Sequence, residues 1–394
     1  MPYRALLPVF VLALANFALY TGVGQGSLAV VSKQLVSQYG WSRGDVGLIG
    51  TLMLLTPVAV AYLVGVISDR RGPRGVIVFG SVAATVGFLM ASSSKTLAAF
   101  YAYAIVIGLA QASLGLITGA ALVRGALALH AGLALAVATM GISLGGIVGP
   151  PTMQALIGSR GLGSAFIILA VVNAAVIPLL LLRLPRMGPG LSPSRPVNEG
   201  RRYLRTRTFW ALAVINTGML YAVYAISQHW VLLFTDIGGD PGDAAKALTL
   251  YYVSGLVGRF VIGPLYDRFS IFKTGRAVLA LMALFVIALT LLRSSLLMLG
   301  VYAVGFGFLY GSFLLMGPVF VSRCFAPGKS GQILGSLVMV WGLLSALSPY
   351  VTGALHDLTG NYGSAFALAS VMATLSAVAV WFVRVEDQSE TAGR

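Results

Sequence analysis

Apolar runs of about 20 residues alternate with short polar segments along the whole chain. A run of that length crosses a hydrocarbon core of about 30 Å as an α-helix. The first run lacks the charged leader and short apolar core of a signal peptide, so we interpret it as a retained helix. The pattern predicts twelve membrane spans, at 8–32, 46–67, 76–93, 97–123, 131–157, 164–184, 208–235, 247–266, 275–293, 296–322, 331–356 and 363–383.

The composition is that of a polytopic membrane protein. Hydrophobic residues make up 58% of the 394 residues and charged residues 9%, and the mean hydropathy is +0.91. A net charge of +15 could suggest a nucleic-acid partner. The basic residues, however, lie in short clusters between apolar runs and form no RNA- or DNA-binding motif. The expected partner is therefore the lipid bilayer, and we expect no nucleic acid.

The basic residues are unevenly distributed between alternate loops. If both termini are cytoplasmic, the inner segments hold 19 of the 26 Lys and Arg residues and the outer loops hold six. This is the positive-inside bias of membrane proteins. We therefore expect an integral protein of the cell (inner) membrane with both termini in the cytoplasm. The one remaining basic residue, Arg259, lies inside the eighth span.

Segments about 199 residues apart resemble each other. GVISDR at 65–70 matches GPLYDR at 263–268 with an offset of 198, and SAF recurs at 164–166 and 364–366 with an offset of 200. Such repetition predicts an all-α fold of twelve transmembrane helices in two pseudo-symmetric six-helix halves. The predicted parts are an N-terminal half at 1–184, a cytoplasmic linker at 185–207, a C-terminal half at 208–384 and a cytoplasmic tail at 385–394.

The stretch GVISDRRGPR at 65–74 resembles the loop 2–3 signature of the major facilitator superfamily, and it recurs in degenerate form at 263–268. The resemblance covers essentially the whole chain. It implies that charged residues of the two motifs pair across the inner face of the halves, cap helix ends and so gate transport. The alternative is that they only set the topology. The predicted gating residues are Asp69, Arg70, Arg74, Asp267 and Arg268.

Three further stretches are similar to the monocarboxylate transporter branch of that superfamily and its bacterial relatives, including the oxalate:formate antiporter type. They are YGWSRGDVGLIGTLMLL at 39–55, GRF at 258–260 and GALHDLTGNYGSAF at 353–366. In that branch, an arginine at the GRF position binds the carboxylate of the substrate. The resemblance therefore implies that Arg259 has this role.

The charge pattern supports an anion site at Arg259 independently. An arginine near the middle of a span costs at least about 2.5–3.5 kcal/mol on insertion scales, and the matching position of the first half is Ala61. None of the eleven acidic residues is predicted at mid-membrane, and Asp267 is eight residues away, about 12 Å along a helix. A planar guanidinium matches a carboxylate. The alternative is a structural arginine held by backbone carbonyls.

Other polar side chains are predicted near the middle of spans that line the cavity in this superfamily. Each could instead be an interface anchor or a helix contact. His229 can donate to a carboxylate and can take up a proton near physiological pH, whereas its alternative is packing toward the outer end of span 7. These further substrate-binding candidates are Asn16, Tyr20, Gln111, Tyr224, Gln228, His229 and Tyr310.

The chain departs from the family at residues linked to proton coupling. The best match to the span 1 lysine of animal monocarboxylate transporters is Gly26, and their aspartate four residues before the arginine is here Gly255. Proton symport is therefore not carried over with its residues, although symport of a weak acid remains open. Span 11 also lacks the lysine of the oxalate type, and one cationic group favours a monoanion.

We expect a secondary transporter for a small monocarboxylate such as lactate or pyruvate, working by alternating access with proton symport. With Cys324 as the only cysteine and three dispersed histidines, we expect no disulfide, metal, cofactor or catalytic triad, and so no enzyme. Two alternatives of the same fold are an organic-anion exchanger and an exporter of drugs or hydrophobic solutes. The missing mid-membrane acid disfavours an exporter of cations.

Overall fold

The computed structural model describes residues 3–126, 131–185, 202–292, 296–325 and 330–385, and every regular element within them is helical. The all-α fold class predicted from the sequence is confirmed. Two short 3₁₀ turns occur at Arg202–Arg205 and Val380–Phe382. The α-helices are α1 Tyr3–Val23, α2 Gln25–Tyr39, α3 Arg43–Arg71, α4 Pro73–Ser93, α5 Leu97–Leu114, α6 Leu116–Ala126, α7 Ala131–Arg183, α8 Arg207–Asp236, α9 Pro241–Arg268, α10 Ile271–Leu292, α11 Leu296–Cys324, α12 Ser330–Ser345, α13 Ser348–Thr359 and α14 Gly363–Ala379.

Each predicted span falls on apolar helix in this part of the chain. Among the described residues, ten segments are long and apolar enough to cross a membrane. One of them, Val137–Arg183, covers the fifth and sixth predicted spans. The two spans are separated at Gly161, where the backbone of α7 leaves the helical conformation (φ 79°, ψ 165°). The shorter apolar segment Leu297–Phe313 covers the tenth.

Local chemistry at the helix starts agrees with the observed bounds. Ser42 and Asp45 form a capping box at the start of α3, where the Asp45 amide donates to Ser42 Oγ at 3.0 Å and the Ser42 amide donates to Asp45 Oδ2 at 3.3 Å. The Asp240 carboxylate accepts from the Gly242 amide at 2.7 Å, and Pro241 is the first residue of α9. These caps place the starts of the second and eighth spans.

Three spans that the sequence predicts as continuous are broken in the structure. Span 1 divides into α1 and α2 at Gly24 (φ −55°, ψ 153°), span 4 into α5 and α6 at Gly115 (φ −76°, ψ −166°), and span 11 into α12 and α13 at 346–347. A Cβ at Gly24 would lie 2.7 Å from the Tyr20 carbonyl oxygen. Glycine therefore allows this bend without a steric clash.

Polar side chains bind carbonyl groups beside two of these breaks. Ser27 Oγ donates to the Thr21 carbonyl at 2.7 Å. Asn16 Nδ2 donates to the carbonyl of Leu114, the last residue of α5, at 3.1 Å. A backbone carbonyl without a partner is costly inside a membrane, so these bonds stabilise the interruptions.

The chain divides into two compact units, Met1–Asn198 and Glu199–Arg394. In the first unit, α7 packs along α1 and α4. In the second unit, the most extensive helix pairs are α9 with α11 and α8 with α14. Residues 186–201 lie outside the described residues, so the predicted bounds of the linker and of the two halves stay a prediction.

Candidate functional site

Glycines bring α9 and α11 into backbone contact beside Arg259. A Cβ added at Gly258 would overlap the Phe308 carbonyl, and one added at Gly311 would overlap the Gly255 carbonyl. Small residues at such positions let membrane helices approach closely. Arg259, the neighbour of Gly258, is therefore carried on a helix whose position is fixed against α11.

The monocarboxylate branch carries an aspartate at the position of Gly255. In this chain, Gly255 takes part in the close contact between α9 and α11. A Cβ at Gly255 would come within 3.1 Å of the Gly307 carbonyl oxygen, which is a tight contact for a Cβ. An aspartate at this position would therefore require a shift of a few tenths of an ångström in the α9–α11 contact.

Arg259 is half-buried, and its Nε is fully buried with no hydrogen-bond partner among the residues whose side chains are described. Tyr310 of α11 lies close enough for the guanidinium charge to act on its hydroxyl. A buried donor without a partner inside a membrane is energetically unfavourable. The arrangement therefore leaves one guanidinium donor without an acceptor among the described residues.

An aromatic ladder, Trp230, Tyr302, Phe306, Tyr251 and Tyr310, leads to Tyr310 and so to Arg259. The ring centroids are 5.5 Å apart for Trp230 and Tyr302, and 4.6 Å for Tyr302 and Phe306. They are 6.3 Å apart for Phe306 and Tyr251, and 5.7 Å for Tyr251 and Tyr310. Near-parallel rings at these separations pack favourably. Of these rings, Tyr310 is the one that lies near the guanidinium.

The sequence analysis missed Tyr251, although two signals pointed to it. Tyr251 lies eight residues before Arg259, about two helical turns, and α11 carries aromatic residues at every fourth position from Tyr302 through Phe306 to Tyr310. A helix with such an aromatic stripe is expected to pack against another aromatic residue. Tyr251 is that residue, and it is only 5% exposed.

A small cavity lies beside the ladder between α8, α9 and α11. Its volume is about 10 Å³, roughly the space of one water molecule. The indole nitrogen of Trp230 and the hydroxyl of Tyr251 are both buried without a partner in the described part of the chain. The lining residues are Val223, Ile226, Ser227, Trp230, Leu248, Tyr251 and Tyr302.

The three candidates on α8 have different surroundings. Tyr224 is half-buried and lies within electrostatic range of Tyr251. Gln228 is 1% exposed. His229 is buried as well, and it contacts α13 and the turn before α14: its Nε2 donates to the Pro349 carbonyl at 2.9 Å, and its Nδ1 accepts from the Tyr362 hydroxyl at 3.2 Å. This contact pattern favours the packing alternative for His229.

Replacement of His229 by alanine should therefore lower the thermal stability of the protein. It removes two buried hydrogen bonds, and a buried polar group left without a partner costs about 1–3 kcal/mol. The pH profile of uptake should not change between about 5.5 and 7.5, the range around the ordinary imidazole pKa of about 6.5. Tyr362→Phe, which removes one of the two bonds, should reproduce part of the stability loss. A shifted pH profile in His229→Ala would instead assign the imidazole to the substrate or the proton.

The candidates of the first unit surround its two helix breaks. Asn16 is 1% exposed, and its Nδ2 donates to the carbonyls of Leu114 at 3.1 Å and Ala138 at 3.2 Å. Its amide therefore joins three helices, which favours a helix-contact role. Tyr20 and Gln111 are half-buried and lie one turn before the breaks at 24 and 115, respectively. Such positions next to interrupted helices are typical of transport sites.

The gating candidates are only partly described. Asp69 and Asp267 lie on helices, but their side chains are outside the described residues, while Arg70 and Arg268 are exposed. Arg74 Nη2 donates to the Leu181 carbonyl near the end of α7. A cation on a carbonyl at a helix C-terminus is a favourable cap. Arg74 thus joins the start of α4 to the end of α7 within the first unit.

Replacement of Asp69 by asparagine should slow transport and leave the equilibrium affinity for substrate within a few fold of wild type. An ion pair that biases conformations without touching the ligand changes rates more than binding. Uptake rate and ligand-induced thermal stabilisation, measured on the same preparation, separate the two effects. Loss of binding in a correctly folded variant would contradict a gating role.

The comparisons with known proteins agree with this architecture. A family model described as Major Facilitator Superfamily matches the chain over residues 12–234 and 211–394. Monocarboxylate transporter 13 of Rattus norvegicus is 25% identical over 315 residues, which cover 77% of this chain and 71% of the relative. Riboflavin transporter MCH5 of Saccharomyces cerevisiae is 26% identical over 385 residues, which cover 89% of this chain and 71% of the relative.

Solved structures show the same fold at lower identity. A crystal structure of nucleoside transporter NupG has a TM-score of 0.78 at 15% identity and covers 98% of this chain and all of its own. A crystal structure of the D-xylose-proton symporter has a TM-score of 0.77 at 14% identity and covers 98% of this chain and 99% of its own. At these identities the likeness concerns the fold alone.

Proposed function

Since this chain belongs to the major facilitator superfamily, and is thereby a membrane transporter rather than an enzyme, we propose that its substrate is a small monocarboxylate such as lactate or pyruvate. Transport would be secondary active, by alternating access, with a co-transported proton. The family alone does not select this substrate, because the relatives include one named for monocarboxylates and one named for riboflavin. The choice rests on the site around Arg259.

The observation that carries the proposal is the guanidinium of Arg259, whose buried Nε has no partner among the described residues. A substrate carboxylate would supply the missing acceptor, and the planar guanidinium allows two parallel hydrogen bonds. The charge-assisted bonds would offset the cost of holding the arginine in an apolar helix.

The aromatic ladder supports a monocarboxylate with a short apolar part. A methyl or methylene group can pack on Tyr310 or Tyr251 while the carboxylate lies on Arg259. Span 11 carries no lysine that would neutralise a second carboxylate. The described surroundings therefore favour a monoanion over a dianion.

The co-transported proton would not be carried at the acidic position of the family. The family's acidic position is Gly255, and α11 occupies the space beside it. Symport would therefore use another group or would carry the proton with the weak acid itself. An imposed pH gradient tests symport without a prior choice of residue.

The test is uptake of labelled lactate and pyruvate by purified protein in liposomes, with and without an inward proton gradient. Unlabelled C2 to C6 monocarboxylates, oxalate and lactamide serve as competitors. We expect accumulation driven by the gradient, competition by monocarboxylates and little competition by oxalate or by the uncharged amide. Failure of every carboxylate to be transported by folded protein would contradict the proposal.

Two alternatives give distinct results in the same assay. Strict dependence on an internal anion, with no stimulation by the proton gradient, would identify an organic-anion exchanger. Transport of hydrophobic solutes without any carboxylate transport would identify an exporter. In the exchanger case Arg259 keeps its role, whereas in the exporter case it loses that role.

A further inference from the structure

We propose that a groove on the surface of the second unit binds one anionic phospholipid, with the headgroup at Arg205 and Arg207 and an acyl chain along α8 and α14. This site lies apart from Arg259 and does not depend on the identity of the transported substrate. It would be occupied by a lipid of the surrounding bilayer.

The groove lies between α8 and the end of α14 and has a volume of about 580 Å³. Apolar side chains of both helices line it, and Trp210, Phe382 and Val378 are 53%, 58% and 50% exposed. A large exposed apolar patch marks a site that another molecule or a membrane covers. The apolar lining residues are Trp210, Ala211, Val214, Leu375, Val378, Ala379 and Phe382.

A second pocket of about 200 Å³ extends the groove toward the middle of the membrane. The two pockets share Trp210, Val214 and Leu375, and the second reaches Gly218 of α8. From Arg207 to Gly218 is eleven residues, about 16 Å along a helix. This is roughly half of a 30 Å hydrocarbon core, or the depth of one leaflet.

The end of the groove near the start of α8 is cationic. Arg205, Thr206 and Arg207 line it, and both arginines are exposed. Trp210 Nε1 donates to the Leu204 carbonyl at 2.8 Å, which fixes the indole at this end. An indole at the polar boundary with its apolar body in the groove is typical of the membrane interface. The groove thus has a polar end and an apolar part that is about as long as one leaflet is deep.

This combination selects an anionic phospholipid over other ligands. A free phosphate would bind the arginines and leave the apolar groove unused, and a zwitterionic lipid would fill the groove with a weaker attraction to the charges. In the orientation predicted from the basic residues, this end faces the cytoplasmic leaflet, where anionic headgroups attract arginines. Arg205 and Arg207 are therefore assigned to the phosphate, and the shared residues Val214 and Leu375 to the acyl chain.

The test is lipid binding to the purified full-length protein in detergent, measured by native mass spectrometry and by thermal stabilisation. Phosphatidylglycerol, phosphatidylcholine and inorganic phosphate are titrated separately. We expect phosphatidylglycerol to bind wild type in preference to phosphatidylcholine. The double variant Arg205→Gln/Arg207→Gln should lose about 30-fold in affinity for phosphatidylglycerol, since each basic residue near an anionic membrane contributes roughly a factor of five.

Further variants distinguish a specific lipid site in the groove from a general attraction of anionic lipid to basic residues. Arg183→Gln/Lys273→Gln removes two exposed basic residues outside the groove and should leave the affinity within about threefold of wild type, taken as the reproducibility of such titrations. Arg205→Lys/Arg207→Lys should keep most of the binding. Val214→Trp, which fills the junction of the two pockets, should weaken binding with both arginines present.

Three results would overturn the proposal. Equal binding of phosphatidylcholine would reduce the groove to an ordinary lipid-facing surface. Equal stabilisation by inorganic phosphate would reduce it to an anion contact. Unchanged phosphatidylglycerol binding in folded Val214→Trp would show that no acyl chain occupies the groove.

Discussion

Replacement of Arg259 by glutamine should lower uptake of the transported monocarboxylate by at least an order of magnitude, while the protein still inserts and folds. Glutamine removes a charge-assisted bond worth about 1.5–3 kcal/mol, or more when desolvated. It also removes the insertion cost of a charged side chain, so expression should not suffer. Initial uptake rates at several substrate concentrations, normalised to reconstituted protein, measure the effect.

Two variants show whether the loss is specific to the guanidinium. Arg259→Lys keeps the charge but not the two-pronged geometry, so it should recover uptake only in part. Lys246→Gln removes one positive charge near the start of the same helix, where Lys246 pairs with Asp243 on the surface at 2.8 Å; such a pair contributes little, and uptake should be normal. Normal uptake in Arg259→Gln would make Arg259 structural.

Replacement of Gly311 by alanine should greatly reduce both uptake and thermal stability, whereas Gly300→Ala on the same helix should be tolerated. A Cβ at position 311 overlaps the Gly255 carbonyl, but one at position 300 has no neighbouring atom within 4 Å. Extra volume in a packed contact costs about 1–3 kcal/mol and occasionally more. Because α9 carries Arg259, the displacement should also weaken substrate binding.

The two glycine variants are compared by melting temperature and by uptake on parallel preparations. Both substitutions add one methyl group, and alanine is the better helix former in each case. A difference between them therefore reports the packing of α9 against α11. Equal behaviour of the two variants would show that this close contact does not fix the position of Arg259.

Arg259 and the all-α membrane fold could be predicted from the sequence because both follow from the positions of apolar and basic residues along the chain. Apolar runs mark spans whatever their tertiary contacts, and the positive-inside rule leaves a single basic residue inside a span. The internal repeat added that the matching position, Ala61, needs no charge. These signals are local or periodic, so they can be detected in the sequence without knowledge of how the helices pack.

The helix breaks and the partners of the polar candidates were not accessible in this way. The chain has 48 glycines, and a glycine by itself does not indicate a break, since Gly24 interrupts a helix and Gly300 continues one. Two partners of His229 are a carbonyl 120 residues away and a hydroxyl 133 residues away. Asn16 binds residues 98 and 122 positions away. Such contacts depend on how helices meet, which the apolar pattern does not encode.

Tyr251 is a residue of the candidate site that the sequence did not identify. A tyrosine in a membrane span is most often an interface anchor. Its type alone therefore did not indicate a position in the ladder. In the structure its ring packs on Tyr310, whose hydroxyl lies within reach of the charge on Arg259. The two signals for it were the aromatic spacing on α11 and the two-turn separation of Tyr251 from Arg259.

The most direct measurement is a thermodynamic cycle of binding that compares a transported carboxylate and its amide on wild type and on Arg259→Gln. Ligand-induced thermal stabilisation of purified protein gives the four affinities. If the guanidinium binds the carboxylate, the acid should lose at least tenfold on mutation while the amide loses little, a coupling of about 1.4 kcal/mol or more. Equal affinity of both proteins for the acid would contradict the carboxylate site.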